Sequence, residues 1–407
     1  MTDRPGVFAF AHIGDLHLER PGDAQAADLR AILAEVARLH GRGGIDFAYL
    51  PGDLAEDGQA AQYAILREAL DRHPDLPVRL IAGDHDRQHG TMADFDALFA
   101  AVAGSPRGGG HAARNHAVPR PRDPAPVTQY YYAETIAGVR CLFLDMVSAG
   151  YGEREFGLDF RLGPHQLAWL AGELAQAADQ GLPRAVFPHT YPDDLQVPAE
   201  KAALAGLIRG HGVRLVEMGH THYNELAPDG RTLYAAARSV GQNEDGSVGY
   251  AVAAIDGAVT SWRFKPLDRA LPFVMITSPA DRRLATAPLE AAGGTIAVRA
   301  LVLSDRPRDD WRCCARVDGG PPHPMAPDGP RTVQARIPWP EDARRLAVTV
   351  TDGSGCADTE VIEPVGRTFA PPPAPDGPGS DATRLPAWPQ KGLRGDQLGP
   401  NRNGRHW

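Results

Sequence analysis

The chain has 407 residues, with 42 basic and 51 acidic side chains, a net charge of −9, 43% hydrophobic and 23% charged residues. That length suggests about two or three domains, and the composition is that of a folded globular protein. The acidic balance argues against broad nucleic-acid or anionic-membrane binding, both of which need a basic surface. No apolar run approaches the ~18 residues of a membrane span, and the first residues lack a secretory leader pattern, so a cytoplasmic protein is expected.

Residues 7–13 predict a first buried strand. Leu29, Ile32, Leu33, Val36 and Leu39 then recur at helical spacing. Residues 47–50 predict the next strand, Tyr63, Leu66 and Leu70 the next helix, and residues 78–82 the third strand. A helix carrying Phe95, Leu98, Phe99 and Val102 follows. Residues 104–126, rich in Gly, Pro, Arg and His without periodicity, predict a long surface loop. Further strands are expected over 139–144, 185–187 and 215–218, the last two preceded by helices near 167–174 and 204–208. Residues 231–264 read as strands alone, which makes a mixed sheet in an α/β layered domain over 1–265.

Composition changes near Leu271. Residues 272–365 carry about six strand-like runs separated by Pro, Gly and Asp turns, which predicts a C-terminal β-sandwich of immunoglobulin or fibronectin type. Residues 366–407 form a Pro/Gly-rich tail in which Trp388, Leu398 and Trp407 are candidate anchors against the body. Four cysteines are too few for a disulfide scaffold, and no CxxC occurs. Cys141 reads as a buried small hydrophobe, and one of the adjacent Cys313 and Cys314 is within conceivable reach of Cys356.

Five segments put Asp or His at the C-terminal end of an apolar strand, where α/β sheets place their ligands. They are Asp15-Leu16-His17, Gly52-Asp53, Gly83-Asp84-His85-Asp86, His189, and Gly219-His220-Thr221-His222. Any one alone is unremarkable: Asp caps helices, and a single His is more often a satisfied polar residue. Together, three carboxylates and several imidazoles suit Mn, Fe, Zn or Co rather than Ca or Cu(I). They are too many for one catalytic ion, which keeps an open position beside about three protein ligands. Two ions sharing one carboxylate fit the count.

In that order the five segments resemble the calcineurin-like metallophosphoesterases, over about residues 7–264. The resemblance implies that family's layered fold, a β-sandwich core flanked by helices, and two divalent or mixed-valence transition-metal ions, Mn, Fe or Zn. It implies Asp15, His17, Asp53 and His222 around one ion and Asp53, Asp84, His189 and His220 around the other, with Asp53 bridging. His85 matches the family's catalytic histidine, which is not a ligand. The family has Asn where this chain has Asp84, a change that adds charge but keeps a coordinating oxygen. Two ions would hold phosphoryl oxygens and acidify water, while His85 stabilises charge or protonates the leaving oxygen. Asp86 either orients the His85 ring or caps a helix. The stretch 52–58 resembles the class III cyclic-nucleotide phosphodiesterase branch.

The expected substrate is therefore a small phosphoester, most simply a phosphodiester, with a phosphomonoester as the alternative. A nuclease, suggested by Asp15-Leu16-His17-Leu18, and a non-catalytic metal-binding module are weaker rivals. His12 and Asp145 read as packing and loop-orienting residues. The C-terminal sandwich is a candidate homo-oligomer surface.

Overall fold

The computed structural model describes residues 6–87, 91–117, 126–150, 159–243, 246–366 and 383–394. The chain begins β1 (Phe8–His12), α1 (Ala24–Gly41), β2 (Phe47–Leu50), α2 (Ala60–Asp71), β3 (Val78–Leu80) and α3 (Ala93–Ala103). It continues with β4 (Arg114–Ala117), β5 (Pro126–Gln129), β6 (Tyr132–Ile136), β7 (Val139–Phe143), α4 (Gly163–Asp179), β8 (Arg184–Phe187), α5 (Pro198–Gly210) and β9 (Leu215–Met218). Then come β10 (Glu225–Pro228), β11 (Leu233–Ala236), β12 (Gly249–Asp256) and β13 (Val259–Pro266).

These strands make two mixed sheets, ordered β13-β12-β1-β2-β3 and β10-β11-β9-β8-β7-β6. Within them β1, β2 and β3 run parallel, as do β7, β8, β9 and β11, so their C-terminal ends share one edge of each sheet. Strand alternation sends Phe10, Phe47, Tyr49, Phe143 and Phe187 between the sheets. Phe143 stacks on Phe187 at 4.6 Å, and Phe10 meets Phe187 edge-on at 5.3 Å. The α1 stripe from Leu29 to Leu39 is buried against the first sheet, as its spacing predicts. Leu170, Leu174, Leu204 and Ile208 of α4 and α5 cover the outer face of the second. One expectation fails: residues 104–126 are not all loop, because Arg114–Ala117 pairs antiparallel with Pro126–Gln129. A four-residue polar strand carries no hydrophobic signature.

Beyond Leu271, β14 (Phe273–Ser278), β15 (Thr295–Leu303), β16 (Arg312–Val317), β17 (His323–Pro324), β18 (Ala326–Pro327), β19 (Thr332–Pro338), β20 (Leu346–Thr351) and β21 (Ala357–Ile362) form two four-stranded sheets. Val274, Ile276, Val298, Val348, Val350 and Ile362 share one core between them. Residues 272–366 contain no α-helix. All four cysteines are free: Cys141 is buried and Cys356 exposed.

The two regions are joined by buried chemistry as well as by chain. Phe273, Met275, Leu301 and Leu303 belong to the core of the first region. Arg263 of β13 donates to both carboxylate oxygens of Asp358, at 2.5 and 3.0 Å. Arg263→Ala is expected to lower stability by roughly 1.5–3 kcal/mol, the scale of hydrogen bonds to a charged group. Asp358→Asn should cost less, since it keeps an oxygen acceptor. Urea unfolding of both variants measures the difference, and equal losses would refute the charge-assisted reading.

Residues 383–394 return to the first region. Trp388 and Leu393 are buried, so the Trp388 anchor expected from sequence forms; Leu398 and Trp407 lie outside the described residues. The Arg283 guanidinium lies 3.4 Å over the Trp388 ring. Among the described residues no helix is long and apolar enough to cross a membrane.

Candidate metal centre

All five motif segments reach one place, each from the loop that follows its strand. Asp15 and His17 follow β1, Asp53 follows β2, and Asp84 and His85 follow β3. His189 follows β8, while His220 and His222 follow β9. Asp15, His17, Asp53, Asp84, His189, His220 and His222 are all buried. Four of them hold left-handed backbone: His17 (φ 42°), Asp53 (φ 48°), His220 (φ 67°) and His222 (φ 65°). Such residues cost of order 1–3 kcal/mol each and cluster where function demands them. The motif glycines have a local cause too. A Cβ on Gly83 would overlap Asp53 Oδ1 and the His189 ring, and one on Gly219 would overlap Asp15 Oδ1.

Among the described residues, two groups of donor atoms are close enough to hold a cation. Asp53, Asp84, His189 and His220 form one, and His17, Asp53 and His85 form the other. Asp53 belongs to both. His189 Nε2 lies 3.0 Å from Asp84 Oδ1 and 3.5 Å from Asp53 Oδ2, and His220 Nδ1 lies 3.0 Å from Asp84 Oδ1. Across the site His17 Nε2 is 3.7 Å from Asp53 Oδ2 and 2.9 Å from His222 Nε2. Asp15 and His222 lie outside both groups: Asp15 Oδ2 accepts the His220 amide at 2.9 Å, and Asp15 Oδ1 is buried without a hydrogen-bond partner.

This donor set fits cations. His189 Nδ1 donates to the Pro51 carbonyl at 2.7 Å, and His17 Nδ1 donates to Glu56 Oε2 at 2.9 Å. In each neutral ring the lone pair is therefore on Nε2, the nitrogen that faces carboxylate or imidazole. Opposed lone pairs, three buried carboxylates and an orphaned oxygen need positive charge among them. Without it the carboxylates draw protons onto the rings. Burial alone would depress His189, but Asp53 and Asp84 raise it well above the usual imidazole range. His222, buried beside His17, moves the other way. Burial pushes Asp15 up to about 6.

His85 is the most accessible of the site histidines, with 24% of its side chain exposed. Its Nδ1 donates to the Glu56 carbonyl at 2.6 Å, leaving Nε2 for another partner. Burial lowers its pKa, yet Asp53 and Asp84 outweigh that and raise it to about 9.

The alternatives for Asp86 are resolved differently from expectation. It neither touches the His85 ring nor caps an α-helix. Its carboxylate instead accepts the amides of Gly83 (2.9 Å), Leu54 (3.2 Å) and Ala55 (3.3 Å) and the Tyr63 hydroxyl (2.9 Å). Asp86 thus ties the loop carrying Asp53 to the loop carrying Asp84. Asp145 orients its loop as expected, accepting the amides of Tyr130, Val147 and Ser148. His12 is packed, with Nδ1 donating to Glu217 at 2.7 Å.

Sequence reasoning missed Glu56. Its carboxylate holds His17 and its backbone carbonyl holds His85, while Gln242 Nε2 donates to the same carboxylate at 2.9 Å. It missed Phe160 as well, whose ring meets His220 edge-on at 5.2 Å. The tail also reaches this neighbourhood. Gly392 O accepts from Asn224 Nδ2 (3.0 Å) and from Arg238 Nη2 (2.9 Å), and the next residue, Ser239, donates its amide to His222 O at 3.2 Å. Glu56→Ala is expected to weaken cation affinity by about 10–100-fold, the usual effect of removing a partner behind a ligating histidine. Glu56→Gln should recover part of it by keeping an oxygen toward Nδ1. Metal titrations of the chelator-stripped protein read both, and parent affinity in the alanine variant would rule the role out.

Residues 8–224 match the family model described as calcineurin-like phosphoesterase. The chain belongs to that family. It is accordingly a phosphoester-hydrolysing enzyme. A relative from Rhodococcus erythropolis, named as a probable cyclic nucleotide phosphodiesterase, is 29% identical over 239 residues, covering 55% of this chain and 67% of its own. Among solved structures, a dimetal phosphatase from Danio rerio is similar with TM-score 0.44 and 16% identity, covering 65% of this chain and 97% of that one. A purple acid phosphatase from yellow lupin gives TM-score 0.42 and 14% identity, over 65% of this chain and 52% of that one.

Proposed function

We propose that this chain is a phosphodiesterase whose reaction depends on two divalent transition-metal cations, Mn, Fe or Zn. The observation that carries the reading is Asp53, the one residue common to both donor groups. Asp15, His17, Asp53 and His222 would hold one cation, and Asp53, Asp84, His189 and His220 the other. The chemistry supplied by such a pair is polarisation of phosphoryl oxygens and acidification of water near neutral pH.

The chain's own residues do the rest. Glu56 keeps the His17 proton on Nδ1, so that Nε2 stays free for coordination. The Glu56 carbonyl accepts the His85 Nδ1 proton and orients the ring, which in its doubly protonated form donates from Nε2 to the leaving oxygen as the ester bond breaks. Asp86 holds the Asp53 and Asp84 loops in register, and Phe160 shields the His220 side from water. Preference for a diester is supported by the probable phosphodiesterase relative and by the stretch from Gly52 to Gly58, which supplies both Asp53 and Glu56. We further assign 1–265 as the catalytic domain, 272–365 as an immunoglobulin- or fibronectin-like sandwich, and small phosphoesters as substrates.

The test compares bis-p-nitrophenyl phosphate with p-nitrophenyl phosphate on chelator-stripped protein, with Mn, Fe, Zn or Mg added back. Metal-restored turnover that favours the diester is expected. Preference for the monoester would make the enzyme a phosphatase, and turnover of neither would defeat both readings.

A further inference from the structure

A crevice of about 80 Å3 lies where the end of α1 meets the C-terminal sheets, lined by Arg42, Arg306, Arg308, Arg331, Ser304 and Trp311 among others. It sits near Gly44, ahead of β2, whereas Asp53 follows the other end of that strand, so β2 separates the crevice from the metal centre. In a chain of net charge −9, four guanidinium groups and no carboxylate line this opening.

Arg331 is a fixed wall. It donates to Asp46 Oδ1 at 2.8 Å and to Val7 O at 2.5 Å. The guanidinium groups of Arg42 and Arg308 have no hydrogen-bond or ion-pair partner among the described residues, and that of Arg306 makes no hydrogen bond there and lies within electrostatic reach of the Asp352 carboxylate. Asp305, Asp309 and Asp310 of the same loop pair with none of them, and Asp352 is taken by the amides of Ser354 and Cys356. Trp311 adds an independent sign: its Nε1 is buried without a hydrogen-bond partner. An indole N–H can only donate, so what it lacks is an acceptor. Planar guanidinium forks and an indole donor around a small opening suit a compact oxyanion.

We propose that this crevice binds a phosphate group, either as free phosphate or at the end of a small phosphorylated molecule whose remainder projects outward. The site bridges the two regions of the chain and does not depend on the catalytic assignment.

The experiment titrates inorganic phosphate calorimetrically into chelator-treated full-length Asp53→Ala protein, at constant ionic strength kept with chloride, so that the metal centre contributes nothing. The chelator-treated parent replaces it should that variant misfold. Saturable one-site binding with Kd of order ~1 mM is expected, weakened at least about tenfold by Arg306→Ala with Arg308→Ala, and less by Trp311→Phe. Circular dichroism verifies that the variants are folded. No saturable binding, equal binding in the double variant, or equal competition by chloride would each overturn the site. Comparable affinity for glycerol 2-phosphate assigns a phosphorylated molecule as the ligand, and its failure to bind assigns free phosphate.

Discussion

Asp53→Ala is expected to strip both cations and abolish turnover, a larger loss than removal of any other single ligand. Asp53 alone contributes to both donor groups. Its Oδ2 faces His17 Nε2 at 3.7 Å and His189 Nε2 at 3.5 Å, and its Oδ1 accepts the His85 amide at 2.9 Å. Removing the carboxylate leaves each half-site with histidines and no shared anion, whereas Asp84→Ala removes a carboxylate from one half only. Asp84→Ala should therefore keep one cation and Asp53→Ala none, as elemental analysis of the purified proteins would read. Stability should follow. Cations present at about 100–1,000 times their Kd stabilise the native state by roughly 2.7–4.1 kcal/mol, so a chelator should lower the melting temperature of the parent and leave Asp53→Ala unmoved. Two cations and parent turnover in Asp53→Ala would refute the bridging role.

Much of this centre was legible because its ligands sit at fixed offsets from apolar strands. β2 and β9 occur as read, at Phe47–Leu50 and Leu215–Met218, and Asp53, His220 and His222 follow from where those strands end. What escaped is contact made by folding. Glu56 stands three residues beyond Asp53 and looks like any loop glutamate until the chain turns it onto His17. Asp86 looks like a partner for its neighbour His85, yet the short turn over His85–Arg87 points it at the amides of another loop. β10 was missed because a four-residue strand ending in Pro228 has no alternation to detect. It is held by its antiparallel partner Leu233–Ala236, by the Leu385 amide on the Leu226 carbonyl and by burial of Leu226. The return of residues 383–394 was legible only at Trp388, since the Gly and Pro around it read as a linker. Its anchorage depends on Arg283, Asn224 and Arg238, all more than 100 residues away in sequence.

His85→Ala and Asp84→Asn should separate proton donation from coordination. His85 sits within reach of the His17 and Asp53 donors, so geometry alone allows it as a ligand. Its Nδ1 bond to the Glu56 carbonyl is like that of His189 to Pro51 and suits either role, whereas its partial exposure favours the acid role. His85→Ala should keep both cations while turnover falls by about 10²–10⁴, the usual contribution of a general acid. The fall should be smallest for substrates with good leaving groups, which need little protonation. The pH profile gives the sign. Asp53 and Asp84 hold His85 in its protonated form, and cations beside those carboxylates draw its pKa down from about 9. The acid form is lost as pH rises through that value, so parent activity falls on the alkaline side and the alanine variant loses that limb. Asp84→Asn acts through charge. Asp15, Asp53 and Asp84 together bring three negative charges, and the variant leaves two facing the same cations. An oxygen toward His189 and His220 remains, so the protein should still bind metal and turn over, with a weaker second cation and a shifted pH optimum. Loss of metal from His85→Ala would make it a ligand. Parent metal affinity and pH profile in Asp84→Asn would mean that the third carboxylate does not act through its charge.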